Sequence, residues 1–216
     1  MIVEHIMNKR TDITGAVLAG GKSSRMGRDK ALLVLDGVPF IEHIARTLQQ
    51  VLARVMIVSD HGEDYRFLGL PIYADIYKNC GPLAGVHSAL THSTTDSLFI
   101  VSCDLPMLTP AIVRYVVDLK KHGDVTLLST ENNLQPLCGL YKRHCLPVVE
   151  KHLKQAQYSV LRCLQEMRTV IPSSSLATAN SSHPPLMNVN TPYDYEVCLR
   201  NAAEHKKTKH KSSTTN

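Results

Sequence analysis

Tryptophan is absent from the chain, and aromatic residues of all kinds make up only 5% of it. Proteins that track single-stranded nucleic acid stack successive bases on aromatic side chains along a basic groove, so this composition argues against nucleic acid as the partner. The net positive charge of the body of the chain is also small. The formal net charge is +5, but residues 202–216 hold four lysines against Glu204. The six cysteines, at positions 80, 103, 138, 145, 163 and 198, include no Cys-x-x-Cys pair and no zinc-like Cys/His spacing, so no metal-thiolate motif is present. Several fall at apolar periodic positions, as expected of reduced core thiols in a cytoplasmic protein. No apolar run reaches the roughly 18 residues that a bilayer span requires, and the N-terminal MIVEHIMNKRTD is interrupted by acids. A soluble protein without a membrane partner is expected.

What is present is enough apolar material, 44% of 216 residues, for one α/β domain with a real core. Strand-like and helix-like patterns alternate, which predicts a mainly parallel sheet covered on both faces. Strands are expected over 13–19, 55–58, 72–74, 98–102, 125–128, 137–141 and 169–172. The 137–141 strand is expected to run antiparallel because only the polar turn at Glu131, Asn132 and Asn133 separates it from its predecessor. Asp36-Gly37 predicts a hairpin over 32–40. Helices are expected over 41–53, from Pro82 to about 92, over 109–121 with Thr109 as N-cap, over 143–155 and 159–167, and from Thr191 onward. Serines and Pro184-Pro185 mark a loop before the last helix. Residues 1–11 read as an extension, 12–201 as the domain and 202–216 as a basic, disordered tail.

The most informative segment is LAGGKSSRMGRDKA, from Leu18 to Ala31, directly after the first strand. A buried strand that opens into a loop of glycines, serines and cations suits a polyphosphate held by backbone N–H groups. Residues 16–23 also fit a relaxed Walker pattern, and the run ending near Asp104 could pass as its second strand. That match fails on geometry, because Ala16, Val17 and Leu18 belong to the strand and not to the loop. A phosphate loop also opens straight into a helix, whereas Gly27 and the Asp36-Gly37 turn follow here. A connector without a ligand is the other alternative, and the mutual repulsion of its cations counts against it.

The whole loop, with RMG followed by DK, resembles the signature of nucleotidyltransferases, and within that superfamily most closely the molybdenum cofactor guanylyltransferases. Further matches stand in the family's order: GPLAG at Gly81 to Gly85, CDLP at Cys103 to Pro106, QPLCGLY at Gln135 to Tyr141 and NVNTP at Asn188 to Pro192. The resemblance covers about residues 12–200. It implies a single Rossmann-like three-layer domain of the nucleotide-diphospho-sugar transferase type, with a mostly parallel, partly mixed sheet. It also implies transfer of GMP from GTP to the terminal phosphate of molybdenum-molybdopterin, with release of pyrophosphate. Proteins of molybdenum insertion and molybdoenzyme maturation are the implied partners. A cytidylyltransferase of the same cofactor, another sugar-phosphate nucleotidyltransferase, a regulator without turnover and a P-loop ATPase are the other readings.

Four marked segments follow predicted strands and so converge on the carboxyl end of the sheet. In the signature loop, Leu18, Ala19, Gly20 and Gly21 are expected beside the nucleotide, with Arg25 and Lys30 countercharging its phosphates. Lys22 and Arg28 have less defined roles, and Asp29 is expected to orient Arg25 or Lys30. Asp104 needs hydrogen bonds or a cation if it is buried, and Mg²⁺ favours carboxylate and phosphate oxygens. The resemblance makes Asp104 a metal ligand and catalytic residue, with Asn190 supplying a second oxygen. A helix N-cap is the alternative for Asn190, with Thr191 competing for that place. Asp75 reads locally as a turn residue. The resemblance makes it a nucleotide ligand, and its carboxylate suits guanine N1–H and the exocyclic amine. Gln135 and Pro136 are expected on the acceptor side.

Overall fold

The computed structural model describes residues 9–20, 29–120, 122–129, 134–172 and 186–213, with side chains described as far as 204. The described residues form a seven-stranded sheet in the order β5-β4-β1-β6-β8-β7-β9. Its strands are β1 (Arg10–Leu18), β4 (Leu52–Val58), β5 (Ile72–Tyr73), β6 (Ser97–Ser102), β7 (Val125–Ser129), β8 (Leu134–Lys142) and β9 (Thr169–Val170). A separate two-stranded hairpin joins β2 (Val34–Leu35) to β3 (Val38–Pro39). The helices are α1 (Phe40–Gln49), α2 (Pro82–His92), α3 (Pro110–Asp118), α4 (Leu146–Lys154), α5 (Val160–Leu164) and α6 (Pro192–Ser213).

Successive side chains of a strand point to opposite faces, and the central strands are apolar at both parities, so both faces are buried. Ile13 and Val17 of β1 and Phe99 and Val101 of β6 pack with Ile41, Ile44 and Leu48 of α1 and Val113 and Val116 of α3. Their alternates Ala16, Leu18, Leu98 and Ile100 pack with Leu83 and Val86 of α2 and Val149 and Leu153 of α4. This is the expected three-layer α/β architecture. A smaller cluster seats Leu33, Leu35 and Phe40 against Val189, Cys198 and Ala202, tying α6 to the hairpin.

From β1 the chain moves outward through β4 to β5, then returns to the other side of β1 with β6, and all three pairings are parallel. The reversal of strand order therefore lies between β1 and β6, where open α/β sheets bind their ligands. β8 runs antiparallel to both β6 and β7, as expected from the short turn. Gly139 of β8 is wedged against β7, and a Cβ there would stand 2.4 Å from the Thr126 carbonyl oxygen and 2.7 Å from Leu127 Cδ2. Since the clash involves backbone of an adjacent strand, Gly139→Ala should destabilise the domain by about 1–3 kcal/mol, read as a lower urea midpoint at unchanged slope.

Several expectations are corrected. β1 begins at Arg10, whose N–H donates to the Val51 carbonyl at 2.8 Å, so residues 10 and 11 belong to the sheet and not to an extension. α1 ends at Gln49 instead of 53, because the apolar Val51 and Leu52 lead into the next strand. Residues 143–145 form a 3-10 turn before α4. α5 is a short helix capped by the Ser159 hydroxyl, which accepts from the Arg162 N–H. Thr109 precedes α3 without a side-chain capping bond. The largest correction concerns the tail, where α6 continues to Ser213. Residues 202–213 contain neither glycine nor proline and hold four lysines, two alanines and a glutamate, which favour helix. The hairpin is as expected, with Asp36 at φ 54° and Gly37 at φ 84° forming a two-residue turn of the mirror-image kind. Residues 131–133 and the Pro184-Pro185 segment lie outside the described residues.

Candidate active site

Each strand that ends near the reversal point delivers one marked residue. β1 runs into Ala19 and Gly20, fixed by the Ala19 N–H on the Val58 carbonyl at 2.9 Å and by the Cys103 N–H on the Leu18 carbonyl at 3.0 Å. The second bond places the chain before Asp104 directly beside the start of the signature loop. Gly21, Lys22, Arg25, Gly27 and Arg28 lie outside the described residues. The chain resumes at Asp29, which caps a 3-10 turn over Lys30–Leu32 by accepting from the Ala31 N–H at 2.9 Å. After that turn comes the hairpin, where a phosphate loop would require a helix.

Lys30 and Asn190 meet although 160 positions separate them, with Lys30 Nζ donating to Asn190 Oδ1 at 2.8 Å. Asp104 is brought to the same place by its own backbone, since its carbonyl accepts from the Val189 N–H at 2.8 Å. Its carboxylate accepts from the Ser102 hydroxyl. Three residues expected at the site thus converge: Lys30, Asp104 and Asn190. The cap of α6 is not Asn190. The Thr191 hydroxyl accepts from the Asp194 N–H at 3.1 Å, while the Asp194 carboxylate takes the N–H groups of Thr191 and Asn190 at 2.8 and 2.9 Å. This reciprocal box leaves the Asn190 side chain available to Lys30.

Asp29 accepts from the Ala31 amide with one oxygen and from the Tyr65 hydroxyl with the other, and Arg25, one of the two cations it is expected to orient, lies outside the described residues. No local pattern in the sequence marks Tyr65. It lies in a 3-10 segment, Gly62–Leu68, between β4 and β5, and is 1% exposed.

Asp75 follows β5 on the other side of β1. Its Oδ1 is buried and has no hydrogen-bond partner. Burial first, and the neighbouring Asp60 charge second, push its carboxyl up to about 6, with Lys78 opposing. Its loop is held from two sides. Asp60 Oδ1 accepts from the Asp75 N–H at 3.0 Å and from Lys78 Nζ at 2.6 Å, and the Ile76 N–H donates to Ser88 Oγ at 2.9 Å. Gly85 of α2 brings the wall of this recess close, since a Cβ there would meet Leu18 Cδ1 at 3.3 Å and Asp75 Oδ1 at 3.8 Å. Asp60 was missed in the sequence, although it too is an acid just beyond a strand. Asn188 Oδ1 is a second buried oxygen without a partner.

Gln135 and Pro136 begin β8, and its antiparallel course beside β6 sets them at the site's end of the sheet. The Pro136 carbonyl accepts from the Tyr141 hydroxyl. All six cysteines are free, and five are buried. Burial and the Asp104 charge push the Cys103 thiol up to about 12, so it stays protonated and unreactive beside the site. No cluster of three or more His, Cys, Asp or Glu suited to a metal occurs among the described residues. No helix among them is long and apolar enough to cross a membrane. A hollow of about 760 Å³ near Asp12, Asp96, Lys120 and His144 lies at the opposite end of the strands. There Lys120 pairs with Asp12, and His144 pairs with Asp124 at 3.1 Å.

Residues 15–170 match the family model of the MobA-like NTP transferase domain. Among curated relatives designated as molybdenum cofactor guanylyltransferases, one from Carboxydothermus hydrogenoformans is 38% identical over 190 residues, covering 88% of this chain and 96% of the relative. Another, from Desulfosudis oleivorans, is 30% identical over 187 residues, covering 85% and 93%. A crystal structure of molybdopterin-guanine dinucleotide biosynthesis protein A from Archaeoglobus fulgidus superposes with a TM-score of 0.76 at 22% identity, covering 88% of this chain and 99% of that one. A crystal structure of an Aquifex aeolicus protein gives 0.70 at 31% identity, covering 85% and 95%.

Proposed function

The chain belongs to the MobA-like NTP transferase family, and from that premise we propose that it transfers GMP from GTP to the terminal phosphate of molybdenum-molybdopterin. The observation that carries the reading is the convergence of Lys30, Asp104 and Asn190 at the reversal point between β1 and β6. The designations of the relatives support the guanine nucleotide and the pterin acceptor.

In this reading the triphosphate lies along the signature loop, with Lys30 and Arg25 against its phosphates. An oxygen of the acceptor's terminal phosphate attacks the α-phosphorus in line. The new P–O bond forms as the bond to the bridging oxygen breaks, and the electron pair leaves with pyrophosphate. The attacking oxygen is already ionised, so no general base is required. The protein's task is to position two anions and to offset their repulsion.

A divalent cation fits the donor set modestly. Asp104 offers one carboxylate, and Mg²⁺ commonly takes one or two carboxylates together with substrate phosphates. Asn190 Oδ1 accepts from Lys30, and with Asp104 it would hold such a cation were the ammonium drawn to the triphosphate. Such a cation would neutralise phosphate charge. Asp104→Ala should lower turnover at least a hundredfold, measured as pyrophosphate release with Mg-GTP and molybdopterin, with the circular-dichroism spectrum unchanged. Turnover at the wild-type rate in the folded variant would remove Asp104 from the mechanism.

The base would sit in the recess of Leu18, Ala19, Gly20 and Asp75. The orphaned Asp75 oxygen is the feature that a guanine N1–H or exocyclic amine would satisfy, since buried acceptors in folded proteins are nearly always paired. Incubation of the protein with Mg-GTP and molybdopterin, followed by mass detection of the guanine dinucleotide, tests the assignment directly. Product from CTP in preference to GTP would shift it to a cytidylyltransferase.

A further inference from the structure

The trailing end of the signature loop is fastened at a residue that takes no part in the proposed chemistry. Both Asp29 oxygens are engaged, one by the Ala31 amide at 2.9 Å and the other by the Tyr65 hydroxyl. Lys30 is the next residue, and its ammonium reaches Asn190 at 2.8 Å. The Tyr65 ring is buried in the same apolar cluster as Ala19, Ala31, Cys103 and Leu105. It therefore stands against the trailing end of the loop through Asp29, and near Cys103 in the chain that leads into Asp104. Burial first, and the Asp29 carboxylate second, drive its phenol far above the usual tyrosine range, so the hydroxyl keeps its proton and remains a donor.

We propose that Tyr65 is a positioning residue, a buried post whose hydroxyl fixes Asp29 and thereby sets where Lys30 enters the triphosphate site. The physical reason is rigidity. A lysine side chain has four rotatable bonds and is ordered only as well as its backbone. Lys30 opens a three-residue turn, Lys30–Leu32, that Asp29 caps. Asp29 joins that turn, whose Ala31 is itself buried in the cluster, to a ring that cannot move without opening it. A misplacement of about 1 Å can cost a hundredfold in a reaction that depends on alignment. This inference rests on the reading of Lys30 as a phosphate-binding group.

The test is a double-mutant cycle with Mg-GTP and molybdopterin as substrates. Tyr65→Phe keeps the ring and removes the hydroxyl, and Asp29→Asn leaves one carbonyl acceptor for two donors. Each should lower kcat/KM about tenfold in the otherwise native protein. In the Lys30→Ala background each should lower it less than twofold, because the group being positioned is gone. A purely structural role would reduce activity equally in both backgrounds, and that result overturns the proposal. Native activity in both single variants overturns it as well. If Lys30→Ala alone leaves activity intact, the assignment of Lys30 fails first and the post has nothing to position.

Discussion

Lys30→Ala should lower GMP transfer at least a hundredfold while the protein stays folded and melts within a few degrees of the native form. Among the described residues the Lys30 ammonium donates one side-chain hydrogen bond, to Asn190. A bond of this kind contributes on the order of 1 kcal/mol to stability, so its loss is tolerated. In the proposed transition state the same ammonium would face phosphoryl oxygens whose charge is being redistributed. Removing one preorganised group of this sort costs about 3 to 4 kcal/mol of barrier, several hundredfold in rate. The measurement is single-turnover pyrophosphate release at saturating GTP, alongside thermal unfolding. A rate within threefold of native in the folded variant would contradict the assignment.

Asp75→Asn should have an opposite pair of effects, weaker GTP binding and a more stable free protein. An asparagine presents one acceptor and one N–H₂ where guanine presents two donors, so a donor meets a donor. The expected loss is about a hundredfold in GTP affinity, in line with the cost of breaking hydrogen bonds to a charged group. The native protein should prefer GTP to ITP, which lacks the exocyclic amine, and in the variant that preference should largely vanish. The stability effect follows from proton linkage. The carboxyl titrates near 3.8 when free and up to about 6 when folded, burial being the main cause. Between those values the folded state holds more protons than the unfolded one. Stability therefore falls as pH rises through this range, and above it the ionised carboxylate is a standing cost. Asparagine removes that cost, so the variant should gain on the order of 1 kcal/mol at pH 7 and nothing below about pH 4. GTP affinity of the native protein should decline as pH drops below about 6, because a protonated Asp75 no longer offers two acceptors, and the variant should show no such decline. An unchanged GTP-to-ITP ratio in Asp75→Asn would place the base elsewhere.

Much of the site was legible because its residues stand at strand ends. An apolar run followed by an acid or by glycines marks a place where a parallel strand emerges, and Asp75, Asp104 and the segment from Leu18 to Gly20 all carry that mark. Boundaries were less legible where one residue suits two periodicities. Val51 and Leu52 continue the helical stripe of α1 yet lead into β4. The tail was misread for a related reason, since its lysines indicate solvation but say nothing against helix once Cys198 and Ala202 anchor α6 to the hairpin. Tyr65 carried no local signal, because its role depends on a partner 36 positions away, whereas Asp60 stands just beyond a strand and shows its role only through the Asp75 loop 15 positions on.

The chain's order of apolar periodicities determined the parallel sheet and its two covered faces, because strand alternation and helical spacing are local properties of consecutive residues. The glycine-rich loop likewise raised the expectation of a phosphate ligand through its own composition. Which side chains would touch was settled only when strand order reversed at β1 and set Asp104 beside the loop and Asn190 against Lys30. Such meetings depend on the path of the backbone between distant segments. No window of sequence contains that path, and the folded core alone fixes it.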